Sequence, residues 1–270
     1  AKYGKTFNWE LKASLLGFQG HECAEKIIKA LELPITKDEF MKESFEIYEV
    51  LFPNAQLMPG AQKLVEHLHK KGVPIAMATS SSRDSVDMKM QKHKDLLGLF
   101  HHLTMGSTDP EVTKGKPDPA IFLVCASRFP DKPKPENCLV FEDAVNGIKA
   151  ANAANMQVVA VPDPRIDSEQ LQTATLVLES LEHFKPELFG LPPNCSGLKS
   201  SIESSMRVAS EASERSRRGS GTITTCMPAA RAALTPLRES SNTKHCKILI
   251  NSMSKSTCLE IFHLIFIHME

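Results

Sequence analysis

Three groups of polar side chains in this 270-residue sequence stand beside short apolar runs. Thr79-Ser80-Ser81-Ser82 closes the run that begins at Val73. Lys116 lies in Gly115-Lys116-Pro117-Asp118-Pro119, just ahead of an apolar helix pattern. Glu142 and Asp143 follow Leu139-Val140-Phe141. Hydroxyls and an ammonium suit a phosphoryl group. A carboxylate pair suits Mg²⁺, a hard cation that prefers oxygen ligands. Each group alone has a plainer reading. Thr79 to Ser82 reads as a helix N-cap, Lys116 as a solvated loop residue, and Glu142–Asp143 as a cap on the following helix. Their order favours a site, because open α/β sheets bind ligands beyond the carboxyl ends of their strands.

The elements that must position these residues follow from hydrophobic spacing. Residues 11–52 read as helical, with Leu15, Leu16, Cys23, Ile27, Ile28 and Leu31 at helical intervals, until Pro53 ends the run. Ala61, Leu64, Val65 and Leu68 give the next helix, which Gly72 closes. From there strands and helices alternate. Strands are expected at 73–79, 103–105, 139–141, 158–161 and 175–178. Helices are expected at 84–97, 117–129 and 144–155. This alternation predicts a parallel sheet with both faces covered.

Composition narrows the function classes. The chain is 41% hydrophobic and 24% charged, which excludes global disorder. Basic and acidic residues balance at 32 each, so charge gives no case for nucleic acid or an anionic membrane surface. No apolar run approaches a bilayer span. The seven cysteines include no Cys-x-x-Cys pair, and they read as small buried thiols. His67/His69 and His101/His102 have no carboxylate or Cys at metal-ligand spacing and read as structural. Beyond residue 195 the sequence turns Ser-rich and basic. Residues 196–270 are therefore expected to be a low-complexity, disordered tail, with an apolar end from Cys258 to Met269.

The ordered set Met77-Ala78-Thr79-Ser80-Ser81, Gly115-Lys116-Pro117-Asp118-Pro119 and Val140-Phe141-Glu142-Asp143-Ala144-Val145-Asn146-Gly147 resembles motifs two, three and four of the haloacid dehalogenase-like hydrolases. Leu57-Met58-Pro59-Gly60-Ala61, Ser107-Thr108-Asp109-Pro110 and Phe184-Lys185-Pro186-Glu187-Leu188-Phe189-Gly190 look like its pseudouridine-5′-phosphatase and glycerol-3-phosphatase branch. The resemblance covers residues 1–194.

It implies a Rossmann-like α/β parallel-sheet core over 57–195 and a truncated helical cap over 1–56, and it leaves the tail over 196–270 without a counterpart. It also implies a Mg²⁺-dependent phosphatase of small phosphorylated metabolites, pseudouridine 5′-phosphate-like, working through an aspartyl-phosphate. A glycerol-3-phosphate or sugar-phosphate substrate is the alternative. By motif position, Thr79 would bind phosphoryl oxygens and Lys116 would neutralise their charge. Asp143 and Glu142 would serve the metal, and Ser80, Ser81 and Asn146 the substrate. Gly17-Phe18-Gln19-Gly20-His21 lies where related caps carry a substrate-contacting loop, although a helix break explains it equally. A cytoplasmic monomer is expected.

One element of the resemblance is missing. No Asp-x-Asp-Gly run, the family's source of nucleophile and acid/base, occurs in the 270 residues. The sequence also begins at Ala1 rather than Met. The expectation is a fragment without turnover, lacking a central strand and leaving two sheet edges unpaired. A non-catalytic phosphate-binding or regulatory module is the reading from another class.

Overall fold

Every position from Ile75 to Thr79 is buried, the mark of a strand covered on both faces. In a computed structural model, residues 3–194, 247–250, 260–261 and 265–268 are described. The chain begins with three helices, α1 (Trp9–Leu15), α2 (Gly20–Leu31) and α3 (Lys37–Leu51). A short strand β1 (Gln56–Leu57) leads to α4 (Ala61–Lys70) and β2 (Ile75–Thr79). Then come α5 (Arg83–Lys89), α6 (Lys94–Leu97), β3 (His102–Met105), α7 (Ala120–Ser127), β4 (Cys138–Glu142), α8 (Val145–Ala153), β5 (Gln157–Ala160) and β6 (Leu176–Val177). Three strands close the order: β7 (Lys247–Ile250), β8 (Glu260–Ile261) and β9 (Ile265–His268).

The main sheet runs β3-β2-β7-β9-β4-β5-β6. β2 pairs in parallel with β3, and β4 with β5. β2 and β4 are therefore the inner strands of two parallel pairs, and their carboxyl ends carry Thr79 and Glu142 to one edge. The backbone falls into one unit of residues 1–192 with 244–270 and another of 193–243.

The core explains why the sheet forms here. Ile75, Met77, Phe122, Leu139 and Phe141 are each at most 1% exposed. Burying such a side chain contributes about 1.5–3 kcal/mol. α7 packs on β2 and β3, and α8 packs on β4 and β5, so the sheet is covered as the alternating pattern predicts. Cys125 and Cys138 are buried free thiols, as expected.

Residues 11–52 are helical as expected, in three helices that local caps separate. At α3 the Thr36 Oγ1 accepts from Glu39 N (3.3 Å) and Thr36 N donates to Glu39 Oε2 (2.8 Å). That reciprocal capping box starts a new helix. Two local expectations change. The helix expected over 84–97 is two, with α5 ending at Lys89. The other change concerns the tail. Most of residues 196–270 lie outside the described residues. Its described parts are strands: β7 pairs in parallel with both β2 and β4, and β9 runs antiparallel to β7. The edges expected to be unpaired are therefore paired along these segments. Lys-Ile-Leu-Ile and Ile-Phe-Ile-His are short apolar runs of the kind that enter a buried sheet.

One core contact sets an acid sensitivity. His102 Nε2 donates to Cys125 O (2.8 Å), and burial pulls its pKa from 6.5 down to about 4. Its Nδ1 faces His101 Nδ1 at 2.8 Å, and that neighbouring ring further disfavours a charged His102. The unfolded chain takes up the second ring proton first as pH falls below 6.5. Stability is therefore lost between pH 6.5 and about 4. Urea midpoints at pH 7 and pH 5 should differ less for His102→Gln than for the parent. Equal differences would show that this ring does not set the sensitivity.

Candidate active site

Thr79 ends β2 fully buried. Its Oγ1 accepts from Ser81 N (3.1 Å), and its carbonyl accepts from Gly106 N (2.7 Å). The Thr79–Ser81 turn is thus fixed by its own hydroxyl and by the loop after β3. Across the sheet edge, Glu142 ends β4 and is also fully buried.

Lys116 Nζ donates to Glu142 Oε1 (2.9 Å), and neither side chain is exposed at all. The ammonium also lies 4.8 Å from the Phe122 ring centroid. Glu142 Oε2 accepts from Asp143 N and Ala144 N, both at 3.0 Å. Glu142 is therefore committed to holding Lys116 and the start of α8. Burial drives the Lys116 ammonium below its usual pKa, and the charge of Glu142 offsets part of that fall.

Asp143 is the group left over. It is 5% exposed, and its Oδ1 is buried with no hydrogen-bond partner among the described residues. Burial, then the neighbouring Glu142 carboxylate, raises the Asp143 pKa well above the usual range. An unpartnered buried carboxylate oxygen is costly unless something outside the chain satisfies it. A hard cation fits it as one oxygen ligand. The Glu142 oxygens do not fit in the same way, because both already accept hydrogen bonds. Among the described residues no group of three His, Cys, Asp or Glu side chains converges to hold a metal.

The remaining sequence-chosen residues do different work. Ser80 Oγ donates to Gly17 O (2.9 Å), and Asn146 Nδ2 donates to Leu16 O (2.7 Å). Ser80 fastens the α1–α2 turn to the end of β2, and Asn146 fastens it to the start of α8. Gly17 sits there at φ +88°, and a Cβ on it would lie 3.0 Å from Asn146 Cβ, so a side chain would be strained and crowded. Gln19 adds a third tie, its Nε2 donating to Gly106 O (2.8 Å). Ser81 Oγ accepts from Lys89 Nζ (3.2 Å).

Thr79, Lys116, Glu142 and Asp143 are thus brought to one edge. Ser80 and Asn146 are engaged with backbone, and Ser81 with a lysine. Sequence reasoning passed over Lys89, and it named Gln19 and Gly147 only as members of a loop and a motif, with no role of their own. The Gln19-x-x-Glu22 spacing could have marked Gln19 as a helix start. Gly147 is visible only once Glu142 is placed beside it.

Comparison with known proteins agrees with this geometry. Residues 8–155 match the family model described as a haloacid dehalogenase-like hydrolase. A probable pseudouridine-5′-phosphatase of Drosophila melanogaster is 50% identical over 190 residues, covering 70% of this chain and 82% of the relative. (DL)-glycerol-3-phosphatase 2 of Arabidopsis thaliana is 42% identical over 196 residues, covering 72% and 81%. In fold, the chain resembles a β-phosphoglucomutase from Clostridium difficile, with TM-score 0.56, 24% identity, and 69% and 82% of the two chains covered. The chain belongs to the haloacid dehalogenase-like hydrolases.

Proposed function

We propose that this chain carries the phosphoryl- and cation-holding side of a phosphatase of small phosphate monoesters, with a pseudouridine 5′-phosphate-like substrate. The observation that carries the reading is the buried Lys116–Glu142 pair beside the unpartnered Asp143 oxygen. The names of the similar Drosophila and Arabidopsis proteins support the substrate class.

Each residue has a distinct task in this reading. Thr79 offers a hydroxyl to a phosphoryl oxygen from a rigid turn. Lys116, aimed by Glu142, places positive charge against the phosphoryl group. The preset geometry means little reorganisation is needed when the charge arrives. Asp143 would hold Mg²⁺ through Oδ1, and the bound ion would neutralise charge on the phosphoryl oxygens. Helices α1 to α3 form the cap, tied to the strand ends through Ser80, Gln19 and Asn146. The 270 residues contain no Asp-x-Asp-Gly run, so they supply no nucleophile of the family's motif. We therefore read this chain as one that binds the ester without turning it over.

Calorimetry on the purified 270-residue chain tests both parts. Inorganic phosphate should bind more tightly with Mg²⁺ than without. Asp143→Asn should reduce that Mg²⁺ enhancement by about tenfold, the scale of one charge-assisted ligand. No phosphate binding by the parent would overturn the whole reading. Release of phosphate from pseudouridine 5′-phosphate, above the level of Lys116→Met, would overturn the non-catalytic part. A preference for glycerol 3-phosphate over pseudouridine 5′-phosphate would move the substrate to the alternative.

A further inference from the structure

The loop between β3 and α7, residues 106–119, serves the site at both ends. Its far end carries Lys116. Its near end holds the turn after β2. Gly106 N donates to Thr79 O (2.7 Å), and Ser107 Oγ donates to Ser80 O (2.6 Å). Gly106 O also accepts from Gln19 Nε2 (2.8 Å), so the cap turn is tied to the same point. Whatever fixes this loop therefore fixes the turn that presents the Thr79 hydroxyl.

Arg128, which caps the end of α7, fixes the loop. Its guanidinium forks onto Asp109, with Nη1 donating to Oδ2 and Nη2 to Oδ1 (2.9 Å). Nη2 also donates to Glu111 Oε2 (2.6 Å), and Nη1 to Thr104 Oγ1 on β3 (3.3 Å). One side chain thus joins α7, β3 and the loop. Asp109 passes the restraint on. Its N–H donates to Met105 O (2.8 Å), and its carbonyl accepts from the N–H of buried Val112 (3.1 Å). These bonds span 105–112, the stretch that contains Gly106 and Ser107. A planar fork on a carboxylate fixes direction as well as distance, which a lysine ammonium does not. The fork also holds the Asp109 carboxyl below its usual pKa.

Arg128 itself stands apart from the site. The cavity beside the Thr79 turn is lined by Ser80, Ser81 and Ser107, and Arg128 is not among the described residues lining it. It lines a separate hollow with Asp109 and Glu111. We infer that Arg128 is a positioning residue for the phosphate site: its fork on Asp109 sets the loop after β3, and that loop sets the Thr79–Ser81 turn. This rests on the phosphate-binding reading above.

Calorimetry with inorganic phosphate and Mg²⁺ on the full chain tests it, using Arg128→Lys and Asp109→Asn. Both break the fork, yet they differ in charge. The first leaves the net charge unchanged, and the second removes a negative charge. Each variant, its fold checked by circular dichroism, should bind phosphate about fivefold more weakly or worse, the scale of coupling within one hydrogen-bond network. Combining them should cost little more than either alone, because both cut the same link. A purely electrostatic role predicts no change for Arg128→Lys and tighter binding for Asp109→Asn. A purely structural role predicts a lower urea midpoint with unchanged phosphate affinity. Either pattern overturns the inference alone. Hydrogen exchange reads the link directly. The Gly106 amide should lose protection in both variants, while the Val140 and Val158 amides of the sheet keep theirs. Weaker phosphate binding with full protection at Gly106 overturns the inference too. If one variant does not fold, the other decides by the same two readings. A parent that binds no phosphate overturns the functional reading as well.

Discussion

Lys116→Met should lower folding stability by about 3–5 kcal/mol and weaken phosphate binding by about 10- to 100-fold. The stability loss comes from Glu142. The substitution takes away the ammonium that faces that buried carboxylate, and both side chains of the pair are fully enclosed. Methionine preserves most of the stem's volume against Phe122, so a cavity contributes little. The double variant Lys116→Met/Glu142→Gln separates charge from packing. Glutamine still offers an oxygen to Asp143 N and Ala144 N, but it carries no charge. It should recover a large part of the lost stability without recovering phosphate binding. Urea denaturation and calorimetry read the two quantities independently. A single variant within 1 kcal/mol of the parent would mean that the pair is not buried as described.

The same contrast between charge and context shows how far the sequence could be read. Thr79, Lys116, Glu142 and Asp143 were legible because each ends or precedes an apolar run. Such runs in an α/β alternation have carboxyl ends on one edge. The breaks in the first helical stretch were less legible, since a continuous apolar spacing hides a capping box at Thr36–Glu39. Ser80 and Asn146 were given to substrate by motif position, yet their polar atoms reach Gly17 O and Leu16 O, 63 and 130 residues away in the chain. Spacing carries no information about partners at that separation. Lys89 was overlooked for a related reason. On a helix of mixed charge it reads as a solvated face, yet in the fold its ammonium lies against the Phe52 ring. The segments Lys247–Ile250 and Ile265–His268 are apolar enough to read as strands, but which strands they join is a non-local matter.

Gly147→Ala should be among the most damaging single-methyl additions in the chain. Helix propensity predicts the opposite, a gain of about 1 kcal/mol for replacing glycine inside a helix. Gly147 occupies the first turn of α8, where its backbone adopts ordinary helical angles. A Cβ there would run into the carboxyl group of Glu142, overlapping Oε1 and Cδ. Glu142 has no room to yield, because Oε1 holds Lys116 and Oε2 holds two backbone N–H groups. Either the carboxylate moves and the buried pair breaks, or α8 shifts away from β4. Overpacking alone costs about 1–3 kcal/mol, and breaking the pair adds to it, so a loss above about 4 kcal/mol is expected. Phosphate affinity should fall with it, as Lys116 loses its aim. A double-mutant cycle with Glu142→Asp identifies the cause, because the shorter side chain withdraws the carboxyl group from the new methyl. In that background Gly147→Ala should cost less by about 1.5 kcal/mol or more. If Gly147→Ala instead stabilises the protein by its propensity alone, the close packing of α8 on Glu142 is wrong. The aiming of Lys116 that depends on it then fails too.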